Sequence, residues 1–139
     1  MLRYRLLHPE ILAALGAAGH GSRILIADGN YPLSTGSAQG ARHVYLNLAP
    51  GLVTVSDVLA VLVEAVPVEA AHVMQPYDSS EPPIWNEFSA LLPGTPLERL
   101  QRFEFYAAAS EPAVALAIAT GEQRVWANIL LTIGVVPPA

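Results

Sequence analysis

The chain has 139 residues, of which 53% are hydrophobic and 14% are charged, and it contains no cysteine. This length suits one domain with its own hydrophobic core, so we predict a single domain over residues 1–139. The net charge of −5 and the lack of any Lys/Arg block argue against a nucleic-acid partner, and the lack of cysteine excludes disulfides, thiolate metal ligands and a cysteine nucleophile.

The beginning of the chain predicts a helix followed by a buried strand. Pro9 and Glu10 mark the helix start, because proline suits a first helical turn and a carboxylate is stabilised near the positive end of the helix dipole. Gly16 and Gly19 end this helix. The apolar run at residues 23–28 is short and is followed by a Gly-Asn-Tyr-Pro turn, which is typical of a strand buried on both faces.

A polar loop, a strand and a second helix come next. The Ser-, Gly- and Thr-rich segment at residues 33–42 is too polar for a core and too long for a tight turn, and such loops often line binding sites. Residues 43–48 predict a second strand. Ser56 and Asp57 are suited to cap a helix over residues 58–66.

The rest of the chain alternates strand and helix patterns. We predict strands at residues 68–74, 113–119 and 128–133, helices at 84–92 and 103–110, and either a strand or a loop at 97–101. This alternation indicates an α/β fold with a mostly parallel sheet covered by helices on both faces.

The apolar residues are too interrupted to cross a membrane. No apolar run reaches the about 18 residues that span a bilayer, and the first eight residues lead to a proline and a glutamate before any sustained apolar stretch, which makes a poor signal peptide. We therefore predict a cytoplasmic protein with no membrane partner. The apolar excess instead predicts subunit contacts, because obligate interfaces are more hydrophobic than ordinary surface.

Two polar residues flank the first predicted strand. Asp28 lies at its carboxyl edge, where ligands bind in open α/β sheets, although it can also simply form an Asx-turn with the residues that follow. His20 lies between Gly19 and Gly21, which allow a ligand to approach closely, and its imidazole titrates near neutral pH. The alternative role of His20 is structural, in a C-cap turn where the ring bonds a carbonyl group.

Arg102 and several aromatic residues form a second group of candidates. Arg102 can offer its planar set of donors to sugar hydroxyls or a carboxylate, and it can equally pair with Glu98 or Glu104 at the surface. Trp126 and Tyr31 can provide a flat apolar surface for a sugar ring, although aromatic residues are more often part of a core.

Other kinds of site find no support. His8, His20, His43 and His72 match no metal-ligand spacing, so we predict no metal site. The Gly-x-x-Gly-x-Gly run that begins at Gly16 follows a helix and does not join a strand to a helix, which argues against dinucleotide binding. No Gly-x-Ser-x-Gly elbow indicates a serine hydrolase, and we expect Glu122 to hold a turn or a subunit contact.

Several polar segments occur in a distinctive order: residues 19–21 (Gly-His-Gly), 27–32 (Ala-Asp-Gly-Asn-Tyr-Pro), 102–106 (Arg-Phe-Glu-Phe-Tyr), 120–122 (Thr-Gly-Glu) and 126–128 (Trp-Ala-Asn). In order and spacing they resemble the D-ribose pyranase/L-fucose mutarotase family, and the fucose branch is the more similar. The resemblance runs from about residue 7 to residue 135. It implies a three-layer αβα subunit in a ring-shaped homo-oligomer, commonly a decamer, with pockets shared between neighbours and with no metal or organic cofactor.

The resemblance also implies an activity and its residues. The family interconverts anomers or ring forms of a free monosaccharide such as L-fucose, which requires a base at the anomeric hydroxyl and an acid at the ring oxygen. His20 corresponds to the proton donor, Asp28 and Arg102 to substrate-binding positions, and residues 126–128 to a further binding stretch. The predicted catalytic residues are His20 and Asp28, and the predicted substrate-binding residues are Asp28, Tyr31, Arg102, Tyr106, Trp126, Ala127 and Asn128.

One departure from the family pattern leaves a second function open. The last motif of the family usually carries Tyr where this chain has Trp126, and an indole donates a hydrogen bond but cannot accept one or relay a proton. Tyr31 and Tyr106 are candidates to substitute for that tyrosine. The alternatives to an enzyme are a non-catalytic carbohydrate-binding protein linked to sugar uptake or catabolism, and a structural or regulatory oligomer.

Overall fold

The computed structural model describes every residue from 1 to 139 and contains four helices and six strands. In chain order these elements are α1 Pro9–Ala17, β1 Arg23–Ala27, β2 Arg42–Tyr45, α2 Val55–Ala65, β3 Val68–Met74, α3 Ile84–Leu91, β4 Leu97–Leu100, α4 Arg102–Ala109, β5 Val114–Ala119 and β6 Ile129–Ile133. The segment that was predicted as either strand or loop is thus a strand, because it pairs with β3 from Ala71 to Met74.

All six strands form one sheet in the order β2-β5-β1-β6-β3-β4. β1 pairs in parallel with β5, β5 with β2, and β3 with β4, whereas β6 runs antiparallel to both β1 and β3. The predicted mostly parallel sheet is therefore confirmed, with β6 as the one reversed strand. Because β1, β3 and β4 point the same way, the segments that follow them meet at one edge of the sheet.

The sheet is covered on both faces, which gives three layers. Ile24 and Ile26 of β1 pack into a core with α1, α2 and α3, whereas Leu25 and Ala27 point to the opposite face and pack with Phe105 of α4. Alternate side chains of one strand thus enter two separate cores. This explains why β1 is apolar at every position from Ile24 to Ala27, as predicted for a strand buried on both faces.

The loop at residues 33–42 differs from the prediction. Leu33, Ala38 and Ala41 are buried and join α4 in covering the second face of the sheet. The Ser37 hydroxyl is also buried, donating to the carbonyl of Leu33 at 2.5 Å and accepting from Nε2 of His43 at 2.8 Å. The polar composition of this loop predicts exposure. The Ser37 hydroxyl can nevertheless be buried, because both of its hydrogen bonds are made within the protein.

The cap of α2 also differs from the prediction. The helix begins at Val55, and its N-cap is Thr54, whose hydroxyl accepts from the Asp57 N–H at 3.1 Å while the Asp57 carboxylate accepts from the Thr54 N–H at 2.9 Å. This reciprocal capping box satisfies two donors of the helix start. The helix therefore begins earlier than the predicted residues 58–66. No helix of the chain is both long and apolar enough to cross a membrane.

Candidate functional site

A cleft of about 290 Å³ lies at the carboxyl edge of the sheet, where β1, β3 and β4 end and β6 begins. Its lining brings together side chains that are as much as 100 residues apart in the sequence. Six of the predicted site residues line it, namely Asp28, Tyr31, Arg102, Tyr106, Trp126 and Asn128. A seventh, Ala127, is buried directly beside the cleft and contributes its backbone N–H to Asp28.

Asp28 is the buried carboxylate of this cleft, with 4% of its surface exposed. Its oxygens accept from the backbone N–H of Asn30 at 3.0 Å and of Ala127 at 3.2 Å, and its own N–H donates to the side-chain oxygen of Asn128 at 2.8 Å. The bond from the Asn30 N–H forms an Asx-turn, so Asp28 also has the structural role that was predicted as the alternative to ligand binding. The same bonds fix the carboxylate in the cleft.

The pKa of Asp28 is raised above its ordinary value. Burial is the largest cause and the nearby charge of Glu122 adds to it, while hydrogen bonds from Ala127 and Asn30 oppose the shift. Burial disfavours the charged form of a carboxyl group, so its proton is held at a higher pH than in water. A carboxyl group that is both fixed and shifted toward neutrality is suited to proton transfer.

Arg102 is the cationic group of the cleft and begins α4. Its Nη1 donates to the Tyr77 hydroxyl at 2.8 Å and its Nε donates to the Tyr106 hydroxyl at 3.4 Å. These two bonds raise the pKa of Arg102, so it stays charged. It forms no ion pair with Glu98 or Glu104, its predicted alternative partners, because Tyr77 and Tyr106 hold its guanidinium on the cleft side. It is thus a charged donor without a carboxylate partner.

The aromatic residues of the cleft have different roles. Tyr31 is buried, its hydroxyl donates to the carbonyl of Gly36 at 2.7 Å, and burial raises its pKa further above the ordinary phenol value. Its hydroxyl proton is thus already engaged by a protein carbonyl, and its ring packs on Tyr106 and Phe105. Trp126 adopts a left-handed backbone (φ 59°) and meets the Tyr77 ring edge-on, with 5.3 Å between ring centroids.

Glu122 does not line the cleft, but its carbonyl oxygen accepts from the N–H of Gly29, which follows Asp28, at 2.9 Å. The buried Glu122 carboxylate accepts from Nε and Nη2 of Arg124, both at 2.9 Å, and from the Val55 N–H at 3.3 Å. Burial alone would raise the pKa of Glu122, but the hydrogen bonds and charge of Arg124 outweigh it, so the pKa is lowered. The neighbouring Gly121 is needed here, because a Cβ would lie 2.3 Å from the carbonyl oxygen of Ala49. Glu122 therefore holds a turn, as expected.

His20 is not brought to this cleft within one subunit. It precedes β1, whereas Asp28 follows it, and a five-residue strand is about 16 Å long. Nε2 of His20 lies 2.9 Å from the nearer carboxylate oxygen of Glu69, at the amino end of β3, and 57% of the His20 side chain is exposed. Within one chain, the predicted proton donor and the predicted binding residues therefore lie at opposite edges of the sheet.

The histidines do not form a cluster. His8 accepts from the Ile11 N–H at the start of α1, His43 bonds Ser37, and His72 pairs with Glu98 at 2.6 Å. No three His, Asp or Glu side chains are close enough together to hold a metal ion. These partners give each histidine a separate local role.

Four residues that line the cleft were not among the predicted site residues: Asn30, Met74, Tyr77 and Val125. Tyr77 had a usable signal, because it follows the predicted strand at 68–74, and parallel strands end at the same edge of a sheet. Its contact with Arg102 joins residues 25 positions apart. That contact depends on the order of β3 and β4 in the sheet, which the sequence pattern does not fix.

Comparison with known proteins finds relatives along nearly the whole chain. The model of the RbsD / FucU transport protein family matches residues 1–136. The chain is 33% identical to the fucose mutarotase of Homo sapiens, over 94% of this chain and 90% of that protein. It is 36% identical to the D-ribose pyranase of Variovorax paradoxus (strain S110), over 97% of this chain and 98% of that protein.

Solved structures show the same fold. The structure of Bacillus subtilis RbsD complexed with D-ribose has a TM-score of 0.85 and 28% sequence identity, covering 99% of this chain and all of that chain. The fucose mutarotase of Streptococcus pneumoniae in complex with L-fucose has a TM-score of 0.82 and 26% identity, with the same coverage. The predicted α/β fold and its family resemblance are therefore confirmed.

Proposed function

Because the chain belongs to the RbsD/FucU family, we propose that it is a monosaccharide mutarotase that interconverts anomers, or pyranose and furanose forms, of a free sugar such as L-fucose. The observation that carries this proposal is the cleft in which Asp28, Arg102 and Asn128 converge beside Trp126. Buried and charged hydrogen-bonding groups next to an aromatic surface are the features that bind a sugar ring. Relatives with this fold were solved with ribose and fucose bound.

The proposed reaction opens and recloses a hemiacetal. A base removes the proton of the anomeric hydroxyl, an acid protonates the ring oxygen, and the bond between the anomeric carbon and the ring oxygen breaks to give the open-chain aldehyde. Rotation of the aldehyde and reversal of these proton transfers give the other anomer. Asp28 and His20 are the proposed pair of proton-transfer groups, and Arg102 and Asn128 hold the sugar hydroxyls.

The position of His20 requires a second copy of the chain in this proposal. His20 is exposed at the amino edge of the sheet, so we propose that it enters the cleft of a neighbouring subunit in a ring-based homo-oligomer, a decamer as the family resemblance implies. Exposed apolar residues support assembly, since obligate interfaces bury such groups: Tyr45, Leu48, Leu52 and Val53 are at least one third exposed. The protein as a whole is proposed to act in the cytoplasm, on a free sugar, as a single domain.

Proton transfer is the only chemistry that this reaction needs, so we propose no metal or organic cofactor. The atoms of substrate and product are the same, and no electron is gained or lost. The predicted residues supply carboxyl, imidazole and guanidinium groups, which are sufficient to donate, accept and stabilise charge.

A non-catalytic sugar-binding protein is the second candidate. Trp126 favours it, because an indole N–H donates but cannot accept or relay a proton, while its ring offers a stacking surface. In this case the cleft retains affinity for the sugar but does not change its rate of ring opening.

Exchange NMR separates the two candidates. Exchange between anomeric protons is measured for fucose, ribose and galactose, with wild-type protein and with His20→Ala. Acceleration by the wild-type protein that is lost in the variant supports a mutarotase. Saturable binding in calorimetry with exchange at the spontaneous rate identifies a binding protein, and the absence of both refutes the proposed function.

A further inference from the structure

The cleft contains three phenol groups, and their hydroxyls differ in what they can still bind. The Tyr31 hydroxyl already donates to the Gly36 carbonyl. The hydroxyls of Tyr77 and Tyr106 both accept from Arg102, at 2.8 and 3.4 Å, and neither donates to a protein group. Of these two, Tyr77 has the shorter bond to the guanidinium and is 70% exposed. Its O–H is therefore a donor that the protein leaves open at the mouth of the cleft.

The bond from Arg102 makes this donor stronger. A hydroxyl that accepts from a charged donor is polarised, and a polarised hydroxyl donates a stronger second hydrogen bond. Arg102 has no carboxylate partner that would compete for its charge, so this polarisation is not weakened by an ion pair.

The segment that carries Tyr77 is held in place by its own hydrogen bonds. The Gln75 N–H donates to the Leu100 carbonyl at 2.8 Å, which ties the segment to the end of β4. The Asp78 carboxylate accepts from the Ser80 N–H at 3.0 Å, and the Gln75 side chain donates to the Ser80 carbonyl at 3.0 Å. The edge-on contact with Trp126 then fixes the ring itself. A side chain held this way loses little further freedom when it binds a ligand.

The other hydrogen-bonding groups of the cleft differ from this donor in kind. The Asn128 side-chain oxygen is occupied by the Asp28 N–H, and the Asp28 oxygens accept from two backbone N–H groups, so Asn128 and Asp28 offer an amide NH₂ and the remaining lone pairs of a carboxylate. Trp126 offers its indole N–H. Tyr77 adds a hydroxyl that Arg102 polarises, beside the Trp126 ring.

We propose that Tyr77 is a substrate-binding residue whose hydroxyl, held by Arg102, donates a hydrogen bond to one hydroxyl group of the monosaccharide that lies against Trp126. This inference rests on the proposed function and extends it to a residue outside the motifs that carry the family resemblance. It assigns to the segment at residues 75–80 a part in choosing the sugar, because a donor at one fixed place favours sugars that place an oxygen there.

The test compares Tyr77→Phe with Tyr4→Phe, a matched loss of an exposed phenol hydroxyl, since Tyr4 is 74% exposed and lies outside the cleft. Calorimetry or NMR titration with fucose, ribose and galactose measures the dissociation constant. Loss of one neutral hydrogen bond predicts affinity about three- to tenfold weaker in Tyr77→Phe and unchanged in Tyr4→Phe. Thermal melts are expected to be the same for all three proteins, because exposed substitutions seldom alter stability.

A second measurement separates direct binding from an effect through Arg102. The same titrations are repeated with the monodeoxy analogues of the sugar that binds best. If Tyr77 contacts one hydroxyl, then for the analogue that lacks it wild type and Tyr77→Phe bind equally. If Tyr77→Phe weakens the binding of every analogue equally, or does not weaken the binding of the parent sugar, the proposed role of Tyr77 is wrong. The proposed function is not affected by that result. Failure of the wild-type chain to bind any sugar overturns the proposed function and this inference together.

Discussion

The two ends of β1 differ in how firmly the fold holds their functional groups. At the carboxyl end, Asp28 is 4% exposed and is held by two backbone N–H groups. At the amino end, the His20 side chain is 57% exposed and its one partner is the half-exposed carboxylate of Glu69. The carboxyl end is thus a preorganised site. At the amino end, one subunit leaves most of the His20 side chain exposed. Pre-formed sites of this kind are the usual binding sites of small ligands.

The largest expected effect is the loss of activity when either end is altered. Asp28→Asn and His20→Ala are each predicted to reduce anomer exchange by a factor of about 100 or more, because general acid–base groups contribute roughly that much. Exchange NMR measures the rate, and Asp57→Asn, in the cap of α2, serves as a control that retains activity. Full activity in Asp28→Asn, with its fold confirmed by circular dichroism, contradicts the assignment.

Mixing the two inactive variants tests whether the two ends meet between subunits. Co-expression of Asp28→Asn and His20→Ala chains with different affinity tags is predicted to restore activity, in roughly a quarter of the sites if pairing is head-to-tail and random. Mixed oligomers are purified through both tags in succession before exchange is measured. Mixed oligomers as inactive as each parent would show that His20 and Asp28 do not act across an interface.

A smaller effect is expected on stability at the carboxyl end. Glu122→Gln removes the charge that Arg124 and the Val55 N–H bind, and we predict a loss of about 2 kcal/mol in the free energy of unfolding at pH 7. Since the pKa of Glu122 is lowered in the fold, this contribution is present at neutral pH and disappears as the pH falls below about 4. Urea denaturation at a series of pH values measures it.

The control for Glu122 is Glu87→Gln, because Glu87 is an exposed carboxylate that pairs with the same arginine. Exposed ion pairs contribute at most about 1 kcal/mol, so the control is predicted to lose less stability at neutral pH. Equal losses in the two variants would mean that burial of Glu122 adds nothing to its bond with Arg124.

The smallest expected effect belongs to the amino end of β1. Glu69→Gln removes the charge that faces His20, and we predict a change below about 0.5 kcal/mol in the free energy of unfolding of the subunit, because the pair is exposed within one subunit. Urea denaturation measures this at pH 7, with Glu98→Gln, the partner of His72, as the matched variant. A loss as large as that of Glu122→Gln would place this pair in a buried environment and remove the contrast between the two ends.

Local sequence patterns predicted most of the helices and strands, because the residues that favour each element are close together in the sequence. The strand at residues 68–74 was predicted with its observed bounds, and β1 was recognised from an unbroken apolar run that matches burial on both faces. Thr54 was missed as the cap of α2 since Ser56 and Asp57 offer the same chemistry, and the hydrogen bonds alone decide among them. The ambiguous segment at 97–101 became a strand through its pairing with β3.

The sequence by itself determined the fold class, the family and the identity of seven residues at or beside one cleft, because these depend on residue types in a fixed order. Only the tertiary structure decided that His20 pairs with Glu69, that Arg102 binds phenols and no carboxylate, and that Tyr77 faces Trp126. These facts depend on strand order and on distances between remote segments. Residue order along a chain does not encode such distances directly, since they arise only when the sheet assembles.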